Sequence, residues 1–269
     1  ETQQRLRGEF VTKLFSGQID EVLIKKAKNL NFDPNWNYLG IIITIKDRLN
    51  EQKVIGDPIL RNLLHMTNMT LLGRNFQVTA VRDENQIVAL LSLHSGVFSS
   101  NLVAEIRELS KKLQLEIKNK YGELDVLVGI GRIKQGLTLV HGSFVEATKC
   151  ITFLKNYLFE DRVLSYTDLG VQRFILQNSK EELIDFIQEV LGPLIQYEQS
   201  RKGELLNTLI VYLDQNQNIK KTADSLHIHT NTLSYRLKRI EEILLTDLND
   251  SQPLFNIHLA INIYQYIKK

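Results

Sequence analysis

The sequence contains little of what builds covalent cross-links or membrane spans. It has one cysteine in 269 residues, which excludes an internal disulfide framework and a cysteine-rich zinc site. No apolar run approaches the roughly 18 residues that a membrane helix needs, and we expect no signal peptide in the opening residues. Neither sign of charge dominates, because 33 basic residues against 31 acidic ones leave a net charge of +2. A uniformly basic nucleic-acid coat is therefore excluded, whereas a local basic patch is not.

The composition is otherwise that of an ordinary globular protein, with 43% hydrophobic and 24% charged residues. At about 100–200 residues per domain, the length predicts one large domain or two modest ones. The single cysteine fits a reducing compartment, so we expect a cytoplasmic protein without membrane association. The chain begins with Glu1 inside a helical pattern, which predicts a piece of a longer protein.

Residues 1–35 are predicted to form an N-terminal helical linker. Apolar residues recur there at helical spacing on both sides of Ser16-Gly17. Between Thr2 and Leu30 they exceed what one short helix pair would bury alone. We therefore expect this segment to support self-association.

Residues 36–167 alternate between strand and helix patterns. The β-branched run from Leu39 to Ile45 is typical of a strand covered on both faces. Two further runs, Phe76 to Val81 and Ile87 to Leu93, flank the polar segment 82–86 and predict a hairpin. The order β-α-β-β-α-β with an extra α-β predicts a ferredoxin-like core extended at its end, within an α+β fold class.

Helix-capping patterns continue this organisation. Two Ser-x-x-Glu capping boxes are predicted to open helices: Ser143 with Glu146, and Ser179 with Glu182. Gly192-Pro193 is predicted to end the second of these helices. Residues 168–203 are interpreted as a helical connector, and residues 204–269 as a separate all-α domain.

The strongest local signal is a helix-turn-helix pattern. A short helix from Ile219 to Leu226, a tight turn and a second helix from Thr230 to Leu245 are predicted. Ala223 is small enough for the point where the two helices cross, and Thr230 is expected as the N-cap of the second helix. Four residues are predicted to form the buried wedge between the helices: Leu226, Ile228, Leu233 and Leu237.

The polar face of this unit predicts binding to double-stranded DNA. Asn side chains bond to base edges, Ser and Tyr reach phosphates or bases, and Lys and Arg neutralise phosphates. Between residues 219 and 239 the net charge is +4, which leaves −2 for the rest of the chain. The predicted DNA contacts are Lys220, Lys221, Thr230, Asn231, Thr232, Ser234, Tyr235, Arg236, Lys238 and Arg239.

Helix 230–245 is accordingly predicted as a recognition helix that binds a specific operator. One helix-turn-helix reads a half-site, so a homodimer or a higher homo-oligomer is expected. The pattern alone leaves open a surface helical hairpin whose basic face is merely solvated.

The sequences of these segments resemble those of a known family, the PucR/CdaR-type bacterial transcriptional regulators. From about Glu204 to Lys269 the likeness is to their C-terminal helix-turn-helix domain, and it is carried by Thr222-Ala223, Leu226-His227-Ile228-His229, Asn231-Thr232-Leu233, Tyr235-Arg236-Leu237 and Arg239-Ile240-Glu241. The middle of the chain is similar to their GGDEF-like domain, through Val128-Gly129-Ile130-Gly131-Arg132 and Ser143-Phe144-Val145-Glu146-Ala147.

This resemblance implies a fold and a biological role. It implies a degenerate cyclase-like α/β domain followed by the helix-turn-helix domain, with a separate N-terminal sensory domain missing from this sequence. It also implies control of catabolic or nitrogen-related genes, often as an activator. A small-molecule effector would act through the missing domain or the middle domain.

The residues of the middle domain argue against cyclase chemistry. A diguanylate cyclase carries a glycine-containing acidic loop on its central hairpin, but segment 82–86 has no glycine. The predicted strand Leu39 to Ile45 has no acidic residue to complete a two-metal site, and no Arg-x-x-Asp sequence is present. Asp83 and Glu84 are therefore interpreted as solvated turn residues, and Gly129-Ile130-Gly131 as a strand-end turn rather than a phosphate loop.

No other residues predict a catalytic, cofactor or metal site. His227 and His229 are expected to be structural, and His65, His94, His141 and His258 are scattered. Cys150 is expected to be buried and inert. Two rival hypotheses stay open: a nucleotide-handling enzyme built on the middle domain, and a degenerate GGDEF-like sensor of small molecules or nucleotides that acts through protein partners.

Overall fold

A computed structural model describes residues 2–47, 55–72, 76–93, 102–122, 124–156, 162–170, 172–175, 178–201 and 204–267. The chain divides into two compact units, Glu1–Arg173 and Phe174–Lys269. His94 and the last two residues of the predicted connector, Lys202 and Gly203, lie outside the described residues.

The first unit is built on a sheet with helices on both sides. Its strands are β1 (Asn37–Asp47), β2 (Phe76–Asp83), β3 (Gln86–Leu93), β4 (Leu124–Ile130), β5 (Lys134–Gln135) and β6 (Val163–Ser165). Its helices are α1 (Thr2–Phe15), α2 (Glu21–Ala27), α3 (Asp57–Thr70), α4 (Leu102–Lys120) and α5 (Val140–Asn156). A short helix, α6 (Gln172–Ile175), spans the division between the units.

The strand order of the sheet is β2-β3-β1-β4-β6. Strand β1 is antiparallel to both β3 and β4, β6 is parallel to β4, and β5 pairs with the first residues of β1. The first four strands follow the β-α-β-β-α-β path, and the added α5 and β6 extend it. The predicted ferredoxin-like core with an extra α-β unit is confirmed.

Strand β1 is covered on both faces, as its continuous apolar run predicts. Ile41 and Ile43 belong to the core formed with α3 and α4. Ile42, which points to the opposite face, belongs to the core formed with α1, α2 and α5. The strand extends to Asp47, two residues beyond the predicted run, so its last residue is acidic.

The N-terminal helices pack on the sheet. Phe10, Val11 and Leu14 of α1 and Leu23 and Ala27 of α2 are buried in the core with β1 and α5. This packing accounts for these five residues, whereas Leu6 and Val22 stay exposed. Self-association through this segment stays a prediction.

Helix α5 begins earlier than predicted, and the proposed capping box is wrong. The helix starts at Val140, so Ser143 lies inside its first turns. Its Oγ accepts a hydrogen bond from the Gly40 amide (2.8 Å) and donates one to the Arg132 carbonyl (2.7 Å). The Ser-x-x-Glu spacing here serves contacts between α5 and the sheet, because Glu146 also bonds to Arg132.

Glu146 is the buried centre of an ionic cluster. Its carboxylate accepts hydrogen bonds from the Arg132 guanidinium (2.6 Å), the Arg132 amide (2.9 Å) and the Lys134 ammonium (2.6 Å). Burial alone would raise the pKa of Glu146, but the hydrogen bonds from Arg132 and Lys134 outweigh it and lower the pKa below its usual value. The cluster fixes α5 against the segment that follows β4.

The two glycines of Val-Gly-Ile-Gly-Arg serve helix packing. Gly129 lies inside β4 and Gly131 directly after it, and neither has a positive φ, so the predicted strand-end turn is wrong. A Cβ atom at Gly129 would clash with the Ala147 carbonyl oxygen, and one at Gly131 with that of Ser143. Glycine is needed at both positions because the backbone of α5 lies directly against β4.

Beyond α6, the described residues of the second unit form five helices with one core: α7 (Lys180–Arg201), α8 (Leu205–Asp214), α9 (Ile219–Ser225), α10 (Thr230–Leu244) and α11 (Ser251–Ile267). Ser179 caps α7 as predicted, with its Oγ accepting from the Glu182 amide (3.2 Å). Gly192-Pro193 does not end this helix, which continues to Arg201. Leu191 and Leu194 on either side are fully buried, and this packing sustains the helix through the proline.

Candidate nucleic-acid interface

Helices α9 and α10 form the predicted helix-turn-helix. Asn218 caps α9, because its side chain accepts a hydrogen bond from the Lys221 amide (2.9 Å). After Ser225 the chain turns through His227, whose φ is 53°, and the Ile228 amide donates to the Ala223 carbonyl (3.0 Å). The prediction of a short helix, a tight turn and a second helix is confirmed.

The N-cap of α10 is His229 and not Thr230, so that prediction is wrong. His229 has an extended backbone, and its Nδ1 accepts a hydrogen bond from the Asn231 amide (3.2 Å). Thr230 is already helical and only half-buried. The imidazole therefore has a structural role at the start of the helix, as expected for the histidines of this turn.

The apolar side of α10 holds the two helices together. Ala223, Leu233 and Leu237 are buried, while Leu226 and Ile228 are half-buried against the same core. The small side chain at 223 lies where α9 packs on α10, as the sequence predicts. This arrangement fixes which side of α10 faces outward.

The outward side carries most of the predicted DNA contacts. Asn231 and Thr232 are exposed in the first turn, and Tyr235 is 72% exposed one turn later. Five more of the predicted residues are Ser234, Lys238, Lys220 and Lys221, all exposed, and Thr230, which is half-buried. In the described part of the chain, no ion pair involves any of the three lysines. Their ammonium groups are thus available to an external anion.

Arg236 has partners inside the domain. Its guanidinium donates to the Thr208 Oγ1 (3.1 Å) and pairs with the Glu204 carboxylate (3.2 Å), and its side chain is only 23% exposed. Both partners belong to the start of α8. Arg236 lies at the edge of the polar face of α10. Helical periodicity does not reveal its partners, because they are 28 or more residues away in the sequence.

Arg239 is also held by its neighbours. It pairs with the Glu242 carboxylate (2.7 Å), and its guanidinium lies 5.3 Å from the centre of the Tyr197 ring in α7. Sequence analysis missed both arginine environments. The spacing of Arg239 and Glu242 on one helix was the only available signal.

Comparisons with known proteins match both units. Residues 205–263 match the PucR C-terminal helix-turn-helix domain, which contains α8 to α10 and most of α11. Residues 16–153, about half of the chain, match the GGDEF-like domain. The chain belongs to the PucR/CdaR family.

Members of this family with curated names align over long stretches. DNA-binding transcriptional activator AdeR of Bacillus subtilis (strain 168) is 24% identical over 95% of this chain and 58% of its own length. Proline-responsive transcriptional activator PutR of the same organism is 28% identical over 66% of the chain and 43% of its length. Carbohydrate diacid regulator of Escherichia coli (strain K12) is 25% identical over 96% of this chain and 66% of its own length. The chain spans about two thirds or less of the length of these relatives.

The hairpin that gives the GGDEF-like domain its name is a tight structural turn in this family member. Asp83 pairs with Gln86 across a two-residue loop, and Glu84 has a φ of 50°. The Asp83 carboxylate accepts from the Gln86 amide group (2.7 Å), and Glu84 is exposed. Within the described residues, no three His, Cys, Asp or Glu side chains form a group suited to a metal ion.

The remaining candidate residues lie apart from the helix-turn-helix. His141 Nδ1 is 2.9 Å from the Phe15 carbonyl oxygen, at the end of α1. Cys150 is fully buried in α5, and this burial raises the pKa of its thiol to about 12. Among the helices described, none is long and apolar enough to span a membrane.

Proposed function

We propose that this chain is the DNA-binding and GGDEF-like part of a sequence-specific transcriptional regulator. The observation that supports this most is the outward face of α10, with its polar first turns and three nearby lysines that form no ion pair with any described residue. A helix-turn-helix inserts the N-terminal part of its second helix into the major groove. The charge and exposure of this face match a phosphate-lined groove.

The side chains of this face suit different parts of DNA. Asn231 lies at the start of α10, where its amide would pair bidentately with adenine. Thr230, Thr232, Ser234 and Tyr235 would bond to phosphates or base edges, and Lys220, Lys221 and Lys238 would neutralise phosphates.

Arg236 and Arg239 complete the proposed interface in a different way. Each guanidinium has five N–H donors, and those not used by Glu204, Thr208 or Glu242 would face the phosphates. We therefore assign them mainly to holding α10 in position, with a smaller direct contribution to DNA affinity.

The proposed regulator acts as a homodimer or higher homo-oligomer in the cytoplasm. Two half-sites of an operator need two copies of α10, about one helical turn of DNA apart. The named relatives support a role as an activator of catabolic or nitrogen-related genes. A small-molecule effector would act through the sheet domain or through a sensory domain outside this chain.

We further propose that the GGDEF-like domain does not catalyse cyclic dinucleotide synthesis. A two-residue turn without glycine offers no flexible backbone to approach substrate phosphates. Purified protein incubated with GTP and magnesium should give no product. Product formation that is abolished by Asp83→Ala would contradict this.

The central test is selection of bound sequences from random DNA with the purified chain. A recurrent motif with two-fold symmetry, followed by titrations in which affinity falls steeply with salt, is the expected result. The alternative is a sensor that acts through protein partners. It would be favoured if no sequence is enriched and if the protein either does not bind DNA or binds it independently of salt.

A further inference from the structure

A polar cleft of about 630 Å³ lies in the sheet domain, far along the chain from the DNA-binding residues. Its walls are the first turns of α1, the end of α3 and the edge strand β2. Its polar lining consists largely of one arginine and five amide side chains: Arg7, Gln3, Gln4, Asn31, Asn68 and Gln77. We call it the Arg7 cleft.

Arg7 is a half-buried cation without a carboxylate partner in the described part of the chain. One of its terminal nitrogens donates to the Thr79 Oγ1 (2.8 Å), and its guanidinium lies 4.8 Å from the centre of the Phe32 ring. These contacts hold the guanidinium in place but use only one of its five N–H donors. Burial lowers the pKa of Arg7 from its ordinary value, because the charge is partly desolvated, and the partners described for it, the Thr79 hydroxyl and the Phe32 ring, are both neutral.

Among the described residues, most other arginines have a carboxylate partner, and Arg61, which has no ion pair there, is exposed. Seven of them pair with a carboxylate: Arg5, Arg82, Arg107, Arg132, Arg162, Arg236 and Arg239. Among the described residues, the lining of the Arg7 cleft contains no Asp or Glu. Within this described lining, the positive charge of Arg7 has no anion to balance it.

The amide side chains of the cleft are of two kinds, one held by hydrogen bonds and the others exposed to solvent. Asn68 is fixed, because its Nδ2 donates to the Leu64 carbonyl (3.0 Å) and its Oδ1 accepts from the Ala80 amide (3.2 Å). Gln3, Gln4, Asn31 and Gln77 are exposed at the rim. Each amide provides donors and an acceptor for a polar ligand.

We propose that the Arg7 cleft binds a small organic anion. Its oxyanion group, a carboxylate or a phosphate, lies against the guanidinium of Arg7, and its polar body bonds to the rim amides. Arg guanidinium groups favour such ligands because their planar donors match an oxyanion. The bound anion would link α1 to strand β2.

The test uses acetate, inorganic phosphate and the neutral analogue acetamide, each added to the intact chain at constant ionic strength. Backbone amide signals of Gln77, Thr79 and Ala80 are followed by nuclear magnetic resonance. Saturable shifts with acetate or phosphate, at dissociation constants on the order of millimolar, and none with acetamide, are expected. Acetate alone indicates a carboxylate ligand, and phosphate alone indicates a phosphate ligand.

Two variants of α1 provide the matched comparison. Arg7→Gln should weaken anion binding at least about tenfold, whereas Arg5→Gln, which changes an exposed arginine of the same helix, should leave it unchanged. Equal losses in both variants, equal shifts with acetamide, or no saturable shift with either anion would overturn the proposal. If Arg7→Gln does not fold, the ligand comparison on the parent chain decides alone.

Discussion

Lys238 and Arg239 follow one another in α10, but their side chains have different neighbours. Lys238 is exposed, and no ion pair involves it among the described residues, while Arg239 is held by Glu242 and Tyr197. Periodicity and residue type predict which side of a helix is polar. They do not reveal that some cations of that side bond to α7 or α8, because such partners are distant in sequence.

The proposed roles on α10 should separate in DNA titrations at several salt concentrations. Asn231→Ala should weaken the free energy of binding to the selected operator by about 1–3 kcal/mol, because it removes a base contact. Its effect on binding to random DNA should be small. Lys238→Ala should weaken binding to both DNAs and reduce the salt slope by about one unit, because it removes a phosphate contact. Arg239→Ala should have a smaller effect on the slope. If all three variants fold and bind both DNAs like the parent, α10 is not the recognition helix.

The Glu146 cluster predicts how the sheet domain responds to acid. Because the pKa of Glu146 is lowered in the folded state, its stabilisation is present above the unfolded pKa of about 4.3 and is lost as the pH falls. Glu146→Gln should reduce the free energy of unfolding near neutral pH by about 2–4 kcal/mol. The difference from the parent should shrink progressively as the pH falls below the unfolded pKa.

The unfolding of this unit can be followed through Trp36, which is the only tryptophan of the chain and lies in the sheet domain. Glu21→Gln on the exposed surface of α2 is the control and should change little at neutral or acidic pH. A pH-independent loss in Glu146→Gln would contradict the assigned role.

At the scale of elements, helix α5 on β4 gives a test of close packing. Gly129→Ala should destabilise the sheet domain by about 1–3 kcal/mol or more, since the added methyl would meet the Ala147 carbonyl oxygen. Gly142→Ala in α5 is the matched control, because its Cβ finds only ordinary contact with Lys134. This control should be neutral or stabilising, since alanine favours a helix. Equal unfolding midpoints for the two variants, measured by Trp36 fluorescence, would refute the packing argument.

Most elements could be predicted from local pattern, and most errors concern their ends. The strand at Leu39–Ile45 and the 76–93 hairpin follow from apolar runs around a polar turn, which depend on neighbouring residues alone. Ser143 and Glu146 have the spacing of a cap but bond to the sheet instead. Gly192-Pro193 has the composition of a helix end but lies between buried leucines. In both cases tertiary packing decides, and no short segment encodes it.

At the scale of the whole molecule, each unit has its own core. Leu63 lies in the core of the sheet domain and Leu233 in that of the helical domain, and both are fully buried. Leu233→Ala should lower the free energy of unfolding of the helical domain by roughly 2–5 kcal/mol and abolish DNA binding. The unfolding transition of the sheet domain, followed by Trp36 fluorescence, should stay unchanged. Leu63→Ala should shift the Trp36 transition instead. Circular dichroism reports the helices of both units, so a transition that appears in it but not in Trp36 fluorescence reports the helical unit. A Trp36 midpoint lowered equally by both variants would contradict independent cores.

The burial of Cys150 also makes the chain suitable for site-specific spectroscopy. Its thiol is enclosed in α5 and stays protonated near neutral pH, because burial raises its pKa to about 12. A second cysteine placed at the exposed start of α11 by Ser251→Cys, outside the assigned DNA contacts, would therefore react alone with a fluorophore. The native cysteine needs no replacement, so the approach of the helical domain to a dye-labelled operator can be timed by energy transfer without altering α10.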